Sequence, residues 1–271
     1  MLRMTTFRFA VIMTTFRFTV IMTTFRFAVI LRSEATKDLI IKDDIMSYGL
    51  IWIITIMVMV LSYVVQARLN SRFDEYSQVP TSNRMTGAEV ARKMLMDNGI
   101  TDVQITCVPG KLTDHYNPQT KTVNLSEAVY GQRSIAAAAV AAHECGHVIQ
   151  HAKGYAPLKL RSALVPVVSF SSKWVQWVLL AGVILINITP TLLWLGIALF
   201  AMTTFFSFVT LPVEINASDR AVKWLESAGI TNYETKPMAV DALKWAACTY
   251  VIAAIGSLAT LLYYIGMANR R

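Results

Sequence analysis

Four stretches of the chain are apolar over lengths that suit a membrane. Tyr48–Gln66 runs for nineteen residues without a charge, and Ala246–Met267 for twenty-two. Leu192–Val209 is a third such run, while Trp174–Ile188 is shorter. At 1.5 Å per helical residue, nineteen residues cover about 28 Å, close to the hydrocarbon core of a bilayer. The short run reaches that length only if it begins near Leu164 and Lys173 snorkels, or if the bilayer thins locally. The pattern therefore predicts four transmembrane helices. Buried core helices of a soluble domain would seldom be so long and so free of charge. Asn187-Ile188-Thr189-Pro190-Thr191 carries turn residues, which predicts a tight hairpin between the two middle spans. Between the first span and that hairpin the pattern changes. Ile135–Ala142 is an alanine-rich helix former. Leu112–Leu125 reads as a β-hairpin turning at Asn117-Pro118.

The first residues follow a different rule. Met4–Ile12, Met13–Ile21 and Met22–Ile30 are near-copies of one nine-residue unit, with Thr19 replacing an alanine. A period of nine fits neither helical period, and in a strand an odd period flips the faces from copy to copy. Residues 1–45 are expected to lie outside the fold, as an over-extended start with Met46 as the initiator. The competing reading is a basic segment on the membrane surface. No single apolar core with a small-residue cleavage site marks a signal peptide.

Composition agrees with a membrane chain. Hydrophobic residues make up 55%, mean hydropathy is +0.47, and only 15% of residues are charged. Soluble chains carry about 25% charged residues. The net charge of +8 is expected to report topology rather than nucleic acid, and no nucleic-acid partner is predicted. Four spans put both termini on one side and residues 67–173 and 210–245 on the other. That second side carries Arg68, Arg72, Lys159, Arg161, Lys173, Arg220, Lys223, Lys236 and Lys244, against Arg270 and Arg271 at the C-terminal tail. The basic excess predicts a cytoplasmic location for it, an argument that Arg32, Lys37 and Lys42 would blunt if the first segment is real. Cys107, Cys145 and Cys248 are odd in number and far apart, which suits reduced thiols rather than a disulfide framework.

The chemistry is concentrated in His143-Glu144-Cys145-Gly146-His147. On a helix, positions i and i+4 share a face. Two imidazoles at that spacing can hold one zinc ion, while the glutamate between them stays off the metal as a base for an attacking water. Three of the chain's four histidines (His143, His147 and His151) fall within nine residues. A catalytic zinc takes three protein ligands and keeps one position open. The candidates for the third are His151, Cys145 and a distant acid. Each helical turn rises 5.4 Å, so three stacked histidines converge poorly on one ion. Cys145, two residues from His143, points away from the histidine face. His151 is expected to cap or hydrogen-bond near the helix end, where Gly154 is a plausible stop. Glu214 is the better candidate, placed by Pro212 in the first turn of a new helix with Ser218 on the same face. An acid there also has the simpler explanation of favouring the helix dipole.

His143-Glu144-x-x-His147, then Gln150-His151-x-x-Gly154-Tyr155, a hydrophobic hairpin, and Leu211-Pro212-Val213-Glu214-x-x-Ala217-Ser218 resemble the bacterial YugP-type zinc-dependent membrane peptidases. Asp114-His115-Tyr116, Lys121-Thr122-Val123 and Ser134-Ile135-Ala136-Ala137 add to the likeness, which runs from about Met46 to the C-terminus. The resemblance extends more distantly to integral-membrane gluzincins. It implies one Zn2+ held by His143, His147 and Glu214, with Glu144 as the catalytic base. It implies a polypeptide substrate, membrane or misfolded proteins among them, and an edge strand that pairs with it. It implies a multi-pass protein of the bacterial inner membrane, in contact with lipid. Those relatives commonly carry an aspartate four residues after the glutamate, where Ser218 stands here. His115 is either near the cleft or on a solvent-facing strand, and Tyr250, at the mouth of the last span, is a candidate donor to the oxyanion, with an interfacial anchor as the preferred reading.

The expected fold is mainly α: a helical membrane bundle with a small α+β, gluzincin-like peptidase domain. Its parts are the repetitive segment 1–45, a first span 46–66, a catalytic domain 67–173, a hairpin 174–209, the glutamate helix and connector 210–245, and a last span with tail 246–271. Two other readings stand beside the enzyme: a membrane scaffold with a structural zinc closed by Cys145 or His151, and a membrane protein whose motif is fortuitous.

Overall fold

The computed structural model describes residues 40–186 and 188–269, with side chains from Trp52 onward. Residues 1–39, the turn position Asn187 and the tail residues Arg270 and Arg271 lie outside the described residues.

Along the chain, α1 (Ile40–Tyr76) is followed by α2 (Gly87–Asp97), β1 (Gln104–Val108), β2 (His115–Asn117), β3 (Thr122–Ser126), α3 (Glu127–Tyr130) and α4 (Ile135–Ala152). Three long helices complete it: α5 (Ala156–Ile184), α6 (Pro190–Ser227) and α7 (Lys236–Asn269). Helix α1 begins within the segment expected to lie outside the fold. Four helices are long and apolar enough to cross a membrane: Trp52–Tyr76 of α1, and α5, α6 and α7 in full. Each overlaps one of the four apolar runs, and the protein is a helical membrane protein with a small α+β part.

One expectation is corrected. Pro212 does not start a helix, because α6 runs unbroken from Pro190 to Ser227 with Pro212 inside it. Helix α5 likewise contains Pro166. Long apolar helices tolerate proline because neighbouring groups and local adjustments satisfy the freed carbonyl. Glu214 therefore sits deep within a helix, where the dipole of a first turn has no bearing on it.

The described residues fall into two compact units. One comprises residues 64–163 and 209–251. Its core packs Val90, Met94 and Leu95 of α2, Val123 and Leu125 of β3, and Ala221 and Leu225 of α6 with the buried alanines of α4. Six of those alanines, Ala136, Ala137, Ala138, Ala139, Ala141 and Ala142, are essentially inaccessible. Methyl side chains on every face let neighbours approach α4 from all round. Ser134 caps its start, its hydroxyl accepting from the Ala137 amide, and Gly154 at φ +63° follows its end. The sheet has strand order β1-β3-β2, with β1 parallel and β2 antiparallel to β3. Edge strand β2 pairs Tyr116 with Val123. Buried Asp114 anchors the hairpin by accepting from the Ser126 amide and hydroxyl. Burial pushes its carboxyl group up from the usual range in spite of those bonds.

The other unit comprises the described residues up to Tyr63, with 164–208 and 252–269. Its helices meet through glycine. A Cβ on Gly182 would lie 2.6 Å from the Leu193 Cα, and one on Gly196 would lie 2.7 Å from the Leu179 side chain. Such close approach is how apolar helices gain contact without a hydrophobic drive between them. Leu179, Leu193 and Tyr264 are fully buried there, while Ile53, Met57, Trp177 and Leu262 are more than half exposed, as lipid-facing side chains would be.

Candidate metal centre

The site begins with a missing side chain. A Cβ on Gly146 would lie 2.6 Å from the Ala217 carbonyl oxygen, so α6 can rest on α4 only because residue 146 is glycine. Gly146 falls between His143 and His147 on α4, and Ala217 between Glu214 and Ser218 on α6. The contact that joins the helices is therefore the contact that brings their candidate ligands together.

His143 Nε2 lies 3.4 Å from Glu214 Oε2, and His147 Nε2 lies 3.7 Å from Glu214 Oε1. The two imidazoles stand edge to face, with centroids 4.8 Å apart. One donor atom from each of the three residues lies within 4.8 Å of the others. Tetrahedral zinc with ligands at about 2.1 Å separates its donors by roughly 3.4 Å. The three donors fit one such ion with little movement.

The outer nitrogens are also engaged. His147 Nδ1 is 3.1 Å from Gln150 Oε1. The Gln150 amide nitrogen donates to the Val213 carbonyl at 2.8 Å and to Asn216 Oδ1 at 3.0 Å. Those acceptors settle which end of the amide faces the imidazole. Its oxygen does, so His147 Nδ1 donates to it and the ring is held with Nε2 toward Glu214. Asn216 Oδ1 also accepts from Arg220 Nε at 2.8 Å. His143 Nδ1 lies 3.0 Å from Ser218 Oγ. Ser218, four residues after Glu214, thus supplies the partner of the His143 outer nitrogen.

Glu144 points elsewhere. Its Oε2 accepts the Tyr116 amide at 3.0 Å, which ties the carboxylate to β2 and holds it off the histidine donors. Arg161, one of the basic residues counted toward topology, is buried at 9% exposure, with Nη1 3.5 Å from Glu214 Oε1. A carboxylate as buried as Glu214 (2% exposed) is costly unless compensated, and here two imidazoles and a guanidinium surround it.

The other candidates lie apart from the cluster. Cys145 Sγ donates to the Ala91 carbonyl at 3.6 Å, toward α2. Burial pushes its thiol far above the ordinary value, and its sulfur is turned to α2 rather than to the histidine donors. His151 sets its ring against the edge of Tyr116, with centroids 6.1 Å apart. His115 Nδ1 is bound to the Thr113 carbonyl at 2.8 Å. Tyr250 is buried rather than displayed as an anchor. Gln150, Asn216, Arg161 and the Tyr116 amide were not anticipated as parts of the site. Gln150 left a readable trace, three residues after His147 on the same helical face. The other three left none.

Residues 51–269 match the family model described as "Putative neutral zinc metallopeptidase". The chain is also similar to the protein described as "Putative membrane protease YugP" from Bacillus subtilis (strain 168), with 43% identity over 212 residues. That match spans 78% of this chain and 93% of the relative. No solved structure matches the chain.

Proposed function

Because this chain belongs to the neutral zinc metallopeptidase family, we propose that it is a membrane endopeptidase in which His143, His147 and Glu214 hold one zinc ion and Glu144 is the general base. The observation that carries the reading is the convergence of two Nε2 atoms and a buried carboxylate from α4 and α6, with Glu144 turned aside to β2. A zinc ion held there supplies Lewis acidity for the scissile carbonyl and the attacking water. Glu144 takes the proton of that water and returns it to the leaving amine. The Tyr116 amide keeps the carboxylate in place for both transfers. The position of β2 at the sheet edge, beside Glu144, supports addition of an extended polypeptide as a further strand.

A structural zinc would need a fourth protein ligand. Neither Cys145 nor His151 belongs to the cluster, which favours the open, catalytic arrangement. Membrane or misfolded proteins are the proposed substrates, and the basic excess around 67–173 and 210–245 supports a cytoplasmic site on the inner membrane.

Detergent-purified protein is expected to hold about one zinc per chain, in keeping with a three-ligand catalytic site. Glu144→Gln should keep the metal and lose casein cleavage by about 10²–10⁴-fold. Glu214→Ala should lose the metal. Wild-type cleavage by Glu144→Gln would remove Glu144 as the base, and full metal retention by Glu214→Ala would remove Glu214 as a ligand.

A further inference from the structure

Helix α5 carries a charge, Lys173, beside polar residues at a depth where the apolar runs of the other spans carry no charge. Ser169 and Lys173 are four residues apart, as are Ser172 and Gln176, and Ser169–Ser172 and Lys173–Gln176 are three apart, which places the four on one helical face. That face is only partly covered. Lys173 is exposed, and Ser169, Ser172 and Gln176 are half-buried. Phe170, Trp174 and Trp177 alongside are 61%, 52% and 61% exposed.

The depth follows from the packing of α5 on α6. Gly182 meets Leu193 and Gly196 meets Leu179, so the antiparallel helices advance residue for residue. Nine residues back from Gly182, Lys173 stands level with Met202. That is seven residues inside the apolar run that ends at Val209, or about 10 Å at 1.5 Å per residue. The other end of the run, Leu192, lies about 15 Å away on the same scale. The snorkelling of Lys173 expected from the short run does not hold at this depth, because a four-carbon stem bridges neither distance to bring its ammonium into bulk water. An ammonium group at such depth is costly unless it is paired. Yet none of the four apolar runs of this chain contains Asp or Glu. Its own unit supplies no counter-ion in those runs, and neither would a second copy at that depth.

We propose that this stripe is the docking face for a transmembrane helix of another protein that carries a carboxylate near mid-depth. Lys173 pairs with the acid. Ser169 and Ser172 are small enough to let the two backbones approach, and their hydroxyls join the Gln176 amide in hydrogen bonds across the interface. The surface does not depend on the metal centre, so it stands or falls apart from the peptidase reading.

The test uses full-length protein in vesicles of zwitterionic lipid at pH 8. The probe is a fluorescent leucine–alanine transmembrane peptide carrying either Glu or Leu at its centre, with energy transfer as the readout. The Glu peptide should bind at least tenfold more tightly than the Leu peptide. Lys173→Met should abolish the preference, with zinc content and thermal midpoint unchanged to show that the fold is intact. Lys173→Glu should restore binding to a peptide with a central Lys. Equal binding of the Glu and Leu peptides overturns the proposal, as does a preference that survives Lys173→Met. If Lys173→Met instead changes only the affinity for vesicles containing phosphatidylglycerol, the lysine serves lipid phosphate and the helix partner is ruled out.

Discussion

Gln150 stands between two obligations. Its amide nitrogen donates to Val213 and Asn216 on α6, which turns its oxygen to the His147 ring. Gln150→Met removes both functions while keeping a side chain of similar length. Metal affinity is expected to fall about 10–100-fold, the usual cost of losing a group that orients a ligating histidine. Competition against a chromophoric chelator measures it, and unchanged affinity would show that His147 needs no such support. Arg161 makes a different prediction. Its guanidinium lies beside Glu214 in a buried setting, and removing one member of a buried pair costs about 3–5 kcal/mol. Arg161→Met should therefore destabilise the metal-free protein. Zinc compensates the same carboxylate, so the rise in melting midpoint on adding metal should be larger in the variant than in the wild type. Equal rises would mean that Arg161 and the metal site are energetically independent.

At the scale of elements, the decisive contact is α4 on α6 at Gly146 and Ala217. Glycine in mid-helix costs about 1 kcal/mol relative to alanine, so on propensity alone Gly146→Ala should stabilise α4. The structure predicts the reverse, because the added methyl would sit 2.6 Å from a backbone oxygen and force α6 away. Metal affinity should drop at least tenfold, with a loss of stability of about 1–3 kcal/mol from overpacking. Isothermal titration with zinc and thermal unfolding in detergent would read both, and a more stable variant with intact affinity would discount the contact. The same contact explains what the sequence could disclose. His143, Glu144 and His147 were legible because their relation is local, a matter of one helical turn. Glu214 was legible only through its place after the third span and through family likeness, since nothing near it names its partner. Pro212 marks no boundary because proline's suitability for a helix start does not bar it from an interior where neighbouring groups satisfy the freed carbonyl. The β2–β3 hairpin was readable from its turn, whereas β1 joins β3 by a parallel pairing that leaves no local mark.

At the scale of the molecule, the two compact units should answer to metal removal differently. His143, His147 and Glu214 all belong to the unit formed by residues 64–163 and 209–251. A ligand that binds only the folded state stabilises it by mass action, by about 4 kcal/mol at a free concentration a thousandfold above Kd. That energy acts only on openings that break the site. Separating α4 from α6 is such an opening, whereas the Gly182–Leu193 and Gly196–Leu179 contacts of the other unit involve no ligand. Amide exchange after chelation should therefore accelerate in residues 135–152 and 209–227. Residues 164–184 and 192–208 should keep their wild-type rates, because an apolar helix in lipid has no alternative partner for its backbone and opens rarely. Glu214→Ala should reproduce the accelerated pattern in the presence of zinc, since it removes the ligand rather than the ion. Uniform acceleration across both units would mean that the metal stabilises the chain as one cooperative block. No acceleration in α4 and α6 would mean that the cluster holds no metal tightly enough to matter for the fold.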